Sequence, residues 1–85
     1  MSSEISVTVK FFAATRDAVG VPRITREVQS GTSAKELLEM LKKEYPPLAK
    51  PSLQIIIAVN RETGRGDEPL SDGDEIALLP PVSGG

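Results

Sequence analysis

A single segment of this 85-residue chain has the period of an amphipathic helix, and β-type patterns lie on both sides of it. Its apolar residues follow the series i, i+3, i+4, i+7 and i+11 and are Ala34, Leu37, Leu38, Leu41 and Tyr45. Ser33 and Glu36 stand at the spacing of a capping box, which predicts the start of the helix. Pro46-Pro47 ends it, because proline lacks a backbone N–H. One such helix can cover one face of a small sheet.

Four segments have β-type patterns. Residues 4–11 alternate strictly, and residues 22–29 carry Ile24 and Val28 with the same period of two, although Arg26 falls on their face. Residues 54–60, QIIIAVN, form an apolar run rich in β-branched residues, typical of a central strand covered on both faces. Residues 75–79 form the last strand.

The segments between these elements are read as turns. Residues 12–20 are interpreted as a polar turn region closing at Gly20, and a very short strand is predicted near Leu70. The order is strand, strand, helix, strand, short strand, strand. It predicts an α+β domain with one helix across one face of a single sheet.

Composition removes most catalytic chemistry. The chain has no Cys and no His, which excludes a thiolate nucleophile, a Ser-His-Asp triad and an ordinary zinc site. Ten Lys and Arg stand against twelve Asp and Glu, and no basic run with interleaved aromatics occurs, which argues against a nucleic-acid partner. The sequence has no signal segment and no apolar run long enough for a membrane span, so we expect a cytoplasmic chain.

Five carboxylates cluster late in the chain: Asp67, Glu68, Asp72, Asp74 and Glu75. A calcium loop is the specific hypothesis for such a cluster. The spacing lacks the alternating ligands and the distal Glu of an EF-hand loop. We therefore expect solvated turns and no metal site.

The last six residues predict a projecting tail. Pro80-Pro81 holds the chain extended, so residues 1–79 are expected to form the domain and residues 80–85 the tail. At about 3.1 Å per residue the tail could reach roughly 18 Å, through Val82, Ser83 and the two glycines. Gly84 and Gly85 lack a Cβ and can pass a narrow tunnel in another protein. The plainer alternative is a frayed end.

The carboxylate of Gly85 is an anion at neutral pH and a poor electrophile. Conversion to an acyl-adenylate with ATP would supply a leaving group, after which a thiolate or an amine could attack the carbonyl. Because the chain has no Cys, this carboxyl is the one plausible place to carry sulfur covalently, as a thiocarboxylate.

Several segments resemble the small subunit of molybdopterin synthase. They are VKFFA at 9–13, Arg16, Val19-Gly20, AVN at 58–60 and PLSDGDEIALLPPVSGG at 69–85. That family consists of ubiquitin-like sulfur carriers with a β-grasp fold, so the resemblance implies a mixed sheet of four to five strands. Leu78-Leu79 differs from some relatives, which carry aromatic residues there.

The resemblance also implies roles for the tail. An activating enzyme would adenylate Gly85 with ATP and magnesium, and a sulfur donor protein would convert it to a thiocarboxylate. Pro80, Pro81, Val82, Ser83 and Gly84 would insert with it into the large catalytic subunit, where sulfur passes to a cyclic pyranopterin. We expect two large and two small subunits, no cofactor bound by this chain, and a sulfur-donating role without catalytic side chains.

The second face of the sheet must carry some apolar side chains, because Ile55-Ile56-Ile57 and Leu78-Leu79 are continuous runs. We expect Leu78 and Leu79 to form a docking patch beside the tail, although ordinary surface apolarity is the alternative. Other functions remain open: a ubiquitin-related modifier joined through Gly85 to lysines, a sulfur carrier for thiamine or tRNA thiolation, or a structural domain with an idle tail.

Overall fold

The computed structural model describes residues 3–64 and 66–81. It contains five strands, two α-helices and one 3-10 helix. In chain order these are β1 (Glu4–Phe11), α1 (Ala14–Val19), β2 (Arg23–Gln29), α2 (Ala34–Glu44), the 3-10 helix (Pro46–Ala49), β3 (Ile56–Val59), β4 (Glu62–Thr63) and β5 (Glu75–Leu79).

The strands form one mixed sheet in the order β2-β1-β5-β3-β4. The first and last strands lie side by side and run parallel, with Phe11 opposite Leu78. The other neighbouring strands pair antiparallel. The strand that leads into the tail is therefore held on both edges, between β1 and β3.

The hydrophobic core lies between the sheet and α2. The predicted alternation of β1 is confirmed, since Val7, Val9 and Phe11 are buried on the helix side. The sheet also contributes Ile76 and Leu78, and the helix contributes Leu37 and Leu41. These side chains come from elements distant in sequence, so their burial fixes the helix across the sheet.

The predicted capping box starts α2. The Ser33 hydroxyl accepts a hydrogen bond from the Glu36 N–H at 3.2 Å, and the Glu36 carboxylate accepts one from the Ser33 N–H at 3.0 Å. Arg26, the one polar residue on the core face of β2, reaches the end of this helix. Its guanidinium pairs with Glu44 and donates to the Tyr45 hydroxyl at 3.1 Å.

Two helical segments correct the expectation of a single helix. Residues 14–19, read from sequence as part of a polar turn, form α1 and end at Gly20, which has a φ of 93°. Thr15 is its one fully buried residue, and Ala18 and Val19 pack against the core while partly buried. After α2, Pro46 begins the 3-10 helix, whose Leu48 is buried in the core. Proline fits the first turn of a helix, where no N–H partner is needed.

The short strand lies elsewhere than predicted. It is β4, whereas Leu70 is 5% exposed and packs into the core outside the named strands. A two-residue turn, Asn60-Arg61, joins β3 to β4, and both residues have positive φ values of 50° and 72°. These angles are typical of the type I′ hairpin turn, which brings Glu62 back beside Val59.

The apolar run at residues 54–60 is also less covered than predicted. Only Ile56–Val59 form the strand, and Ile55, Ile56 and Ile57 are half-buried. The helix covers one face of β3, while its other face belongs to the open side of the sheet. In the part of the chain that the structure describes, no helix is long and apolar enough to cross a membrane.

Candidate functional site

The candidate site lies where the tail leaves the sheet, at the end of β5. Leu79 is the last residue of that strand and pairs with Ile56 of β3. Pro80 and Pro81 follow it, and both are exposed. The other predicted tail residues, Val82, Ser83, Gly84 and Gly85, lie outside the described residues. The roles of all six in tail insertion and sulfur transfer stay predictions.

The open face of the sheet carries a groove of about 370 Å³ beside this exit. Ala58, Ala77 and Leu79 line it from neighbouring strands, and Phe12, which is 41% exposed, lies at its tail end. The other four lining residues are all polar or charged: Lys10, Arg61, Thr63 and Glu75. We call this surface the open-face groove. It combines an apolar centre with a charged rim, as protein-binding surfaces do.

Leu78 does not belong to this surface. Its side chain is 1% exposed and packs in the core beneath the helix, so the prediction that it contacts a partner is wrong. Successive side chains of a strand point to opposite faces, and only one member of the Leu78-Leu79 pair can face outward. Leu79 is that member, being half-buried and part of the groove lining.

The charged rim is a feature that sequence reasoning missed. Lys10 of β1 forms an ion pair with Glu75 of the neighbouring strand β5 at 3.2 Å. A second, adjoining groove shares Lys10 and Phe12 and adds Arg16 and Arg23. These cations come from β1, α1 and β2, and the register of the strands brings them together. The net charge of −2 does not reveal this local positive surface.

The predicted acidic turns lie at the opposite end of β5. Asp72 accepts a hydrogen bond from the Ser6 N–H at 2.7 Å, and Asp74 accepts one from the Ser71 N–H at 2.8 Å. The amide of Asn60 also donates to Asp74, at 2.9 Å. Residues 3–64 and 66–81 contain no group of three acidic side chains that could hold a metal. These two carboxylates hold the turn that leads into β5.

A mixed five-stranded sheet in this order, with a helix between the second and third strands across one face, is the β-grasp fold of ubiquitin. The last strand of this domain ends in a proline-led tail with a Gly-Gly sequence. Fold and tail together define a ubiquitin-like domain followed by a Gly-Gly sequence.

The chain belongs to the ThiS family, whose model matches residues 9–85. Over 82 residues it is 39% identical to the molybdopterin synthase sulfur carrier subunit of Mycobacterium tuberculosis, covering 95% of this chain and 99% of that protein. The predicted resemblance and the β-grasp fold are confirmed. So is the predicted role as a sulfur carrier of molybdenum cofactor biosynthesis.

Two solved structures are similar to this chain in sequence and in fold. One is a protein–protein complex of subunits 1 and 2 of the molybdopterin-converting factor from Helicobacter pylori. Its matching chain is 30% identical to this one, with a TM-score of 0.67. The match covers 95% of this chain and 100% of the Helicobacter pylori chain. The other is the small archaeal modifier protein 1 of Methanosarcina acetivorans, 32% identical with a TM-score of 0.77, over 98% and 99% of the two chains.

Proposed function

We propose that this chain carries sulfur as a thiocarboxylate on Gly85 and delivers it for the synthesis of molybdopterin. The observation that carries the proposal is the family match, which runs through the tail to Gly85. The position of the open-face groove beside the first tail residues supports it, because a partner seated there would also receive the tail.

The chemistry begins at the carboxylate of Gly85. One of its oxygens attacks the α-phosphate of ATP, and pyrophosphate leaves, which gives an acyl-adenylate. Hydrosulfide released by the donor protein then attacks the carbonyl carbon, and AMP leaves with one of the two carboxylate oxygens, so that sulfur takes the place of that oxygen. ATP and magnesium belong to the activating enzyme, and this chain contributes the acyl group and binds no cofactor of its own.

Docking and chemistry are divided between two parts of the chain. The groove formed around Ala58, Ala77 and Leu79 binds the activating enzyme and the large catalytic subunit in turn, while Pro80 and Pro81 direct the tail into each active site. The Helicobacter pylori complex supports a large-subunit partner. The assembly would contain two large and two small subunits and would work in the cytoplasm.

A second function has an observation in its favour, namely the similarity to the archaeal modifier protein. In that case the same acyl-adenylate of Gly85 would be attacked by a lysine amine of a target protein. The product would be an isopeptide bond instead of a thiocarboxylate.

The deciding measurement is the intact mass of the chain purified from its native cells, together with the mass of its C-terminal peptide. We expect one oxygen of Gly85 to be replaced by sulfur. A thiol-selective alkylating reagent should then alkylate this sulfur and increase the mass of the C-terminal peptide. A variant lacking Gly85 is the control and should show neither change. Gly85 joined to lysines of other proteins would establish the modifier function, and an unaltered carboxylate in growing cells would contradict both.

A further inference from the structure

Thr15 is a fully buried polar residue next to the strand that leads into the tail. It lies in α1, directly after β1, and its side chain is 0% exposed. A buried hydroxyl needs hydrogen-bond partners, because an unpaired polar group in the interior destabilises the fold. The Thr15 hydroxyl has three such partners within 3 Å, and one of them is the carbonyl oxygen of Leu78.

The register of β1 and β5 shows what this hydroxyl replaces. Farther back in the parallel ladder, the N–H of Thr8 donates to the carbonyl of Asp74 at 3.0 Å. Four residues later on both strands, the same pattern would make the N–H of Phe12 donate to the carbonyl of Leu78. Instead, the Phe12 N–H donates to the Thr15 hydroxyl at 2.9 Å, and that hydroxyl lies 2.8 Å from the Leu78 carbonyl.

The Thr15 hydroxyl is thus inserted into the ladder as a bridge between the two strands. It accepts from one strand and donates to the other, as a bridging water would. The carbonyl oxygens of Leu78 and Phe12 lie 2.8 and 2.9 Å from the hydroxyl oxygen, so each is placed to accept its single proton. The bridge extends the pairing of β5 beyond Phe11, where β1 ends.

The backbone just before Thr15 is strained, and this strained bend brings Thr15 back beside Phe12. Ala13 has a φ of 53° and a ψ of −121°, a combination that favours glycine. The sharp bend at Ala13 turns the chain back, and the N–H of Thr15 returns to the carbonyl of Phe12 at 3.2 Å. Strain of this kind persists where the surrounding contacts compensate for it.

We propose that Thr15 is a positioning residue: its hydroxyl bridge fixes the end of β5 and so sets the direction in which the tail leaves the domain. Leu78 is two residues before Pro80, and the rigid Pro80-Pro81 pair transmits its orientation to the tail. The proposal rests on the proposed function, in which Gly85 must reach a reaction centre. A small misplacement at the base of the tail lowers the rate of a reaction at its tip.

The test compares three variants with the wild-type chain. Thr15→Val keeps the shape of the side chain and removes the hydroxyl, whereas Thr15→Ser keeps the hydroxyl and removes a methyl group. Ser33→Ala, at the other end of the fold, is the control for lost stability. Two quantities are measured: amide-proton exchange at Ala77 and Leu79, and the kcat and KM of the activating enzyme acting on Gly85.

We expect Thr15→Val to increase amide exchange at Leu79 and to lower kcat about tenfold, with KM changed by less than about threefold. Thr15→Ser should restore both quantities. Ser33→Ala should raise exchange at Ala77 and Leu79 by the same factor, as a general loss of stability does, and leave kcat near the wild-type value. The proposal is overturned if Thr15→Ser behaves like Thr15→Val, if Ser33→Ala lowers kcat equally, or if exchange at Leu79 does not respond. The exchange measurement needs no sulfur chemistry. It therefore still tests whether the Thr15 hydroxyl holds the end of β5, even if the activating enzyme does not act on the wild-type Gly85.

Discussion

At the scale of single residues, two backbone positions combine strain with a place in the candidate site. Ala13 bends the chain ahead of the Thr15 bridge, and Arg61 occupies the second position of the β3–β4 turn with a φ of 72°. Glycine is the residue that such a position favours, because it has no Cβ to clash. Arg61 also lines the open-face groove, so its charge faces the proposed partner surface.

We predict that Arg61→Gly raises the free energy of unfolding by about 0.5–1 kcal/mol, because relief of the left-handed strain exceeds the entropy cost of glycine. The same change should weaken binding of the large subunit, since the groove loses a cation. Urea denaturation and a binding titration measure the two effects. Arg61→Lys keeps both the strain and the charge and should match the wild type in each; a loss of stability in Arg61→Gly would contradict the strain argument.

At the scale of elements, the capping box is the local signal that most sharply defines α2. Ser33 is also tied to the loop that precedes β5, because it pairs with Pro69 in an isolated bridge. Next to it, the Leu70 N–H donates to the Thr32 carbonyl at 2.8 Å. The start of the helix therefore anchors the loop that delivers the last strand.

We predict that Ser33→Ala lowers the free energy of unfolding by about 1 kcal/mol, because the backbone N–H of Glu36 loses the hydroxyl that accepts its hydrogen bond. Ser33→Thr should retain most of the stability, since threonine can also cap a helix. The measurement is chemical denaturation followed by circular dichroism, with Ser52→Ala in an exposed turn as the control. Equal stabilities of Ser33→Ala and Ser52→Ala would show that the cap is dispensable.

Elements with a long repeating pattern could be predicted from the sequence, and those defined by a few dihedral angles could not. The eight-residue alternation of β1 and the capped period of α2 each involve enough residues to determine a face. By contrast, α1 has six residues with one buried side chain, and β4 has two residues positioned by a turn. The Thr15 bridge depends on the register between strands about sixty residues apart. Hydrophobic period carries no information about that register.

At the scale of the whole molecule, the two faces of the sheet differ in what they contact. The helix face builds the core, and the open face leaves an apolar groove beside the tail. Charge is also divided along β5. Arg16 and Arg23 lie near the end where the tail begins, whereas Asp72 and Asp74 hold the turn at the other end. The end of the sheet where the tail begins is therefore the more positive of the two.

Adjacent residues of β5 allow the two faces to be tested separately. Leu79→Asp places a charge in the groove, where water can still reach it, so we expect a folded domain with binding of the large subunit weakened about tenfold or more. Leu78→Asp places the same charge in the core, where no partner compensates for its lost hydration, and we expect the domain to unfold.

Met40→Asp is the matched control, because Met40 is 52% exposed and lies on α2, away from the open face. It should remain folded and bind as the wild type does. Circular dichroism measures folding, and calorimetric titration with the large subunit measures binding. A folded Leu79→Asp variant with wild-type affinity would exclude the groove as the docking surface while leaving the chemistry of Gly85 untouched. Weakening by Met40→Asp alone would instead place the partner on the helix side, because the sheet separates these two surfaces.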